Sequence, residues 1–158
     1  CASDEEKKLS HLKKGQAYYE KGEYKAALLE YKNAVKIDPR YVAAYLEMAK
    51  TQAIRANKTV VVDFGTNNYM LFLDTGNGSG GPPNWNREAG EELLLERVLP
   101  PGVRIDTGSL SFPTVSDKTR FNSRGIPFDI FTPETISLVQ GPNNRQLTIN
   151  RLGNIDVQ

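Results

Sequence analysis

A change of composition near residue 58 limits this chain more than any single motif does. Residues 1–58 hold one Pro and two Gly, lack Phe and Trp, and are rich in Ala, Lys, Glu, Leu and Tyr, a composition that favours helix. From Thr59 onward come all six Phe, the only Trp, eight of nine Pro and eleven of thirteen Gly, with β-branched runs between turn signals, which is strand composition. A helical segment followed by six to eight short strands describes an α+β arrangement with an antiparallel sheet. The chain has 158 residues, enough for one ordinary domain or a small domain with a helical module, and too few for a large multidomain enzyme.

The helical breaks are explicit. Tyr24, Ala27, Leu28, Tyr31, Ala34 and Val35 fall at helical spacing. Gly22 ends one helix before them, and Asp38-Pro39 stops the second, because Pro clashes with a continuing helix and disfavours α geometry in the residue before it. A third helix is expected from Tyr41 to Asn57, with Val42, Leu46, Ala49, Ala53 and Ala56 on one stripe. Strands are expected at 59–64, 69–74, 92–98, 103–106, 118–122, 135–139, 145–150 and 154–157, and Gly65-Thr66-Asn67-Asn68 reads as a hairpin loop.

The helical part resembles a tetratricopeptide repeat. A 34-residue frame from Lys8 puts Gly15, Tyr18, Ala27, Tyr31, Ala34 and Pro39 on the repeat's packing positions, with departures at His11 and Lys14. A second repeat begins at Val42, shows Tyr45, Met48 and Ala49, and breaks off at the strand sequence Thr59-Val60-Val61-Val62. A repeat buries its face only against a neighbour. One and a half repeats must therefore pack on the β part, on a second copy, or on a partner. Tyr18, Tyr24, Tyr31, Tyr45 and Met48 are the expected partner-binding face.

Four blocks in the second part resemble the heads of type IV pilin-like proteins, in particular the minor pseudopilin H of type II secretion and the FimT minor pilins. These are Ala49 to Val62 at the helix end and first strand, Leu99-Pro100-Pro101-Gly102-Val103-Arg104-Ile105, Arg120-Phe121-Asn122-Ser123-Arg124-Gly125-Ile126-Pro127, and the closing Leu147 to Ile155. The match covers roughly residues 45–158. It implies a helix packed on an antiparallel sheet of pilin type, and a division into 1–41, a tether and helical hairpin, and 42–158, a head made of helix 42–57 and β region 59–158. Such pilins begin with an apolar anchoring helix, where this sequence has the charged stretch Asp4 to Lys8. Cys1 and the partial repeat stand there instead, as expected either of a natural fusion or of an engineered one.

The sole Cys, residue 1, precludes an internal disulfide. Followed by Ala2, Ser3 and a charged stretch, it is either an arbitrary start or the lipidated Cys of a bacterial lipoprotein, which this start resembles. Acyl chains, at about 0.8 kcal/mol per buried methylene, would then hold the protein on a membrane. No apolar run approaches the roughly 20 residues of a spanning helix.

Chemistry has few candidates. One His and one Cys cannot build a His/Cys metal site within the chain, and no catalytic residue, cofactor or metal is expected. The Gly-rich run from Asp74 to Gly81 offers one carboxylate where a calcium loop uses several and reads as a connection. Glu91, Glu92 and Glu96 read as a solvated strand edge, His11 as a packing or exposed residue, and Ser109, Ser111 and Ser116 as loop residues. FimT-like relatives bind DNA through basic residues near the C-terminus, which makes Arg145 and Arg151 the positions for such a contact. From Thr51 onward, however, 10 basic residues meet 11 acidic ones, so nucleic acid is disfavoured.

The function expected is that of a non-enzymatic assembly subunit of a type II secretion pseudopilus or type IV pilus, in the bacterial cell envelope, facing the periplasm or in a surface filament. Its partners would be other pilin or pseudopilin subunits, or a second copy through the helical end. The alternative is a periplasmic lipoprotein adaptor whose repeat helices capture a protein partner.

Overall fold

A computed structural model of the chain describes residues 3–39, 41–75, 86–99, 101, 104–105, 118–127, 134–140, 143–150, 152 and 154–157. Three helices come first: α1 (Asp4–Glu20), α2 (Tyr24–Ile37) and α3 (Val42–Ala56). Ser3 caps α1 in a reciprocal box, its Oγ accepting from the Glu6 amide at 3.2 Å while the Glu6 carboxylate accepts from the Ser3 amide at 2.7 Å. The polar stretch expected to be a tether is therefore helical from Asp4 onward. Gly22, at φ +76°, ends α1; its amide and that of Glu23 donate to the Tyr19 and Tyr18 carbonyls, which satisfies the open end of the helix. Asn57 ends α3 in the same left-handed conformation.

Eight strands follow: β1 (Thr59–Phe64), β2 (Asn68–Asp74), β3 (Leu93–Val98), β4 (Arg104–Ile105), β5 (Lys118–Phe121), β6 (Glu134–Gln140), β7 (Asn143–Ile149) and β8 (Ile155–Val157). They form two four-stranded sheets, β3-β2-β1-β5 and β4-β6-β7-β8, with every described pairing antiparallel. The β1–β2 hairpin registers Val60 on Leu73 and Phe64 on Tyr69, and β5 returns from about 60 residues away to line the other side of β1.

α3 joins the two halves. Its Val42, Leu46, Ala49 and Ala53 are all buried, and the helix packs on α2 on one side and on β1, β5 and β8 on the other. Small side chains along the stripe allow that approach. One apolar cluster consequently runs from Leu12 and Tyr31, through Tyr45, Leu46 and Ala53, to Val60, Phe64, Phe121, Ile149 and Ile155. Within the hairpin, Gly15 lies against the Tyr31 ring, so that a Cβ at Gly15 would collide with Tyr31 Cε1.

Candidate functional site

Two loops from the β part lie against α1 and α3, and the sequence explains why they are loops of one kind. At the end of β5, the Asn122 side-chain oxygen accepts from the amides of Arg124 at 2.9 Å and Ile126 at 3.1 Å, and the Asn122 amide donates to the Ile126 carbonyl at 3.0 Å. At the end of β7, Asn150 does the same with Leu152 at 2.9 Å and Asn154 at 3.0 Å, and its amide donates to the Asn154 carbonyl at 3.0 Å. An Asn side chain that bonds the backbone two residues on reproduces a turn without help from the rest of the fold. Phe121 and Ile149, immediately before the two Asn, are fully buried and anchor the loops.

The first loop reaches the helices through Gly125, at φ +74°. A Cβ there would lie 2.7 Å from Ile54 Cδ1, 3.1 Å from Lys50 Cγ and 3.1 Å from the Tyr19 hydroxyl. The second contributes Asn154 and Ile155 to a hollow of about 420 Å³ shared with Gln16, Tyr19, Glu47 and Lys50. Beneath the loops is a buried polar group. Lys50 pairs with Glu47 at 2.8 Å, Gln16 donates to the other Glu47 oxygen at 3.1 Å, and the Lys50 ammonium sits 4.6 Å from the centre of the Tyr19 ring. Both charged side chains are enclosed, and the ion pair offsets the cost of burying each charge where water does not reach. Burial, reinforced by the Glu47 charge, holds the Tyr19 phenol above its ordinary range.

The five residues expected to form a partner-binding face divide between surface and core. Tyr18, Tyr24 and Met48 are half-buried, and Tyr24 packs at 5.8 Å on Tyr19. Tyr31 and Tyr45 have no accessible surface to offer, at 0% and 1% exposure, and are corrected to core residues. Tyr31 fills the notch of Gly15. Tyr45 packs edge-on to Tyr69 at 4.4 Å, and both hydroxyls donate to the Pro39 carbonyl, at 3.2 and 3.3 Å. Burial pushes the phenols of Tyr31, Tyr45 and Tyr69 upward. Cys1, Arg151 and the side chain of Arg145 lie outside the described residues, as do Ser109, Ser111, Ser116 and Gly76 to Gly81.

Glu91 departs from its reading as a strand-edge residue. It is 4% exposed, and its carboxylate accepts from the amides of Thr75 at 2.7 Å and Glu88 at 3.0 Å, tying the end of β2 to the approach to β3. Glu92 and Glu96 are exposed as expected. His11 pairs with Glu30 at 2.7 Å across the α1–α2 hairpin. Among the described residues, no cluster of His, Cys, Asp or Glu could hold a metal ion, and no helix is long and apolar enough to cross a membrane.

A short-strand antiparallel β part packed on the C-terminal half of a helical segment defines a pilin-like head. The family described as type II transport protein GspH matches residues 40–153, and the chain belongs to that family. The TPR repeat family matches residues 15–53, over the end of α1, all of α2 and most of α3. The fold is similar to that of the minor pseudopilin EpsH from the type 2 secretion system of Vibrio cholerae, at 17% identity and a TM-score of 0.51, over 78% of this chain and 95% of that one. A crystal structure of the minor pseudopilin EpsH gives 15% identity and a TM-score of 0.49 over the same shares. No curated protein matches the chain.

The Glu47–Lys50 pair and the Gly125 contact escaped sequence reasoning. A Glu and a Lys three residues apart on a helix read as a solvated pair. The available signal was the Asn-x-x-Gly spacing repeated at Asn122 and Asn150, which marks two like turns and says nothing of where they land.

Proposed function

We propose that this protein is a minor pseudopilin-type subunit of a type II secretion pseudopilus, acting in the cell envelope by packing against other subunits and not by catalysis. The observation that carries the reading is the GspH family match over residues 40–153, which spans α3 and most of the β part. Within that match lie α3 and the strands β1 and β5, which pack on it directly. In this reading, residues 42–158 are the head and residues 1–41 are a helical extension sharing its core. Tyr18, Tyr24 and Met48 are the members of the expected face that remain available to a neighbouring subunit.

The adaptor reading requires the inner side of α1 and α3 to be open to a partner. Gly125 on Lys50, Ile54 and Tyr19, and Asn154 and Ile155 beside Gln16 and Glu47, occupy that side, which favours an assembly role over peptide capture there. The experiment is deletion of the gene in its native bacterium, with type II cargo measured in the medium and in the periplasm. The expected result is cargo retained in the periplasm and released again when the full chain is restored. Undiminished secretion by the deletion strain would overturn the proposal.

A further inference from the structure

A groove of about 160 Å³ lies on the side of α3 away from the two loops, and its walls are helical ridges. Leu28 and Lys32, one turn apart, form the α2 wall. Met48, Gln52 and Arg55 form the α3 wall over two turns, about 10 Å of helix. The floor is the buried Leu71 of β2, and Leu94 and Leu95 of the adjoining strand β3 close the far side. Beside it, Leu29 is 58% exposed and Leu93 is 37% exposed, so the apolar surface continues past the groove itself.

The charges on the rim select what fits. Lys32 and Arg55 are exposed and stand on opposite walls. Among the described residues, neither has an ion-pair partner and no acidic side chain lines the groove. The adjoining hollow beyond Arg55 adds Glu23 and Lys25, one charge of each sign, and leaves the basic balance as it is. An apolar trough between two helical ridges receives the ridge of a third helix, and an amphipathic helix laid in such a groove is a recurring recognition mode.

We propose that this groove docks an amphipathic helix of another protein, one with an aliphatic stripe flanked on both sides by Asp or Glu. The stripe covers Leu28, Met48, Leu94 and Leu95, and the flanking carboxylates pair with Lys32 on one wall and Arg55 on the other. Two cations on opposite rims discriminate by sign, because a basic flank would bring like charges together at both edges. The inference rests on the groove alone and stands whether or not the secretion reading does.

The test uses the isotope-labelled full chain and two synthetic three-turn helices with the same leucine stripe, one flanked by Glu and one by Lys. The expected result is that the Glu-flanked peptide shifts the backbone resonances of Leu28, Met48, Gln52 and Leu95. The Lys-flanked peptide should bind at least about tenfold more weakly. The double variant Lys32→Glu with Arg55→Glu changes two exposed side chains, should leave the melting temperature intact, and should reverse that preference. Equal affinity for the two peptides, shifts located elsewhere, or no binding of either would overturn the proposal. Groove resonances that move with protein concentration in the absence of peptide would also overturn it, by assigning the groove to a second copy of this chain.

Discussion

Replacing Gly125 with Ala measures how firmly the β part is seated on the helices, and Gly22 supplies its own control. The two glycines have nearly the same backbone, φ +74° and +76°, but nothing lies within 4 Å of a Cβ at Gly22, whereas one at Gly125 meets Ile54, Lys50 and Tyr19 at 2.7 to 3.1 Å. An L residue in the left-handed region costs about 1–2 kcal/mol, and Gly22→Ala should show that cost alone. Gly125→Ala adds overpacking against two helices. Ile54 could swing aside by itself, but Lys50 is held by Glu47 and Tyr19, so the added cost is about 1–2 kcal/mol, low in the usual range for a crowded core. Gly125→Ala should therefore lose about 2–4 kcal/mol in urea unfolding. For a domain of this size, the gap between the two variants corresponds to roughly 2–8 °C in melting temperature. Equal losses for the two variants would refute the seating of the 122–127 loop on α1 and α3.

Three further outcomes follow from the core. Gly15→Ala should destabilise by about 1–2 kcal/mol, because the clash with the Tyr31 ring outweighs the gain of up to about 1 kcal/mol that Ala brings to a helix interior; a stabilised variant in urea would contradict the contact. The contribution of buried Tyr31, Tyr45 and Tyr69 to stability should be constant below about pH 10 and fall above it, since the unfolded chain loses its phenol protons near 10 while these three, whose values are raised by burial, keep theirs. The slope is about 1.4 kcal/mol per pH unit for each such phenol, and a flat profile to pH 12 would refute their burial. Glu91→Gln should cost about 1–3 kcal/mol, because an amide NH₂ replaces one of the two oxygens that accept from Thr75 and Glu88; an unchanged urea midpoint would return Glu91 to the solvated edge.

Much of the fold was legible because breaks and strands are local events. Gly22 and Asp38-Pro39 ended helices where expected, and each expected strand has a counterpart within a residue or two. The pairing of β5 with β1 and the separation into two sheets were not legible, because register between distant segments leaves no mark on either one alone. The candidate site failed for a related reason. Helical periodicity put Tyr31 and Tyr45 on an apolar face without saying that Gly15, Tyr69 and Pro39 would enclose them. Glu47 and Lys50 are buried only because loops more than 70 residues downstream arrive over them, and a charged pair on a helix carries no trace of that arrival.

The measurement that bears most directly on the assembly reading is binding of the full chain to the purified soluble heads of the pseudopilins encoded in the same genome, followed by sedimentation and titration calorimetry. A saturable complex of fixed stoichiometry with at least one of those heads, which survives the change Arg145→Ala and is weakened by Tyr24→Ala or Met48→Ala, is the predicted result. Failure to bind any of them, under conditions in which those heads bind one another, would contradict the account.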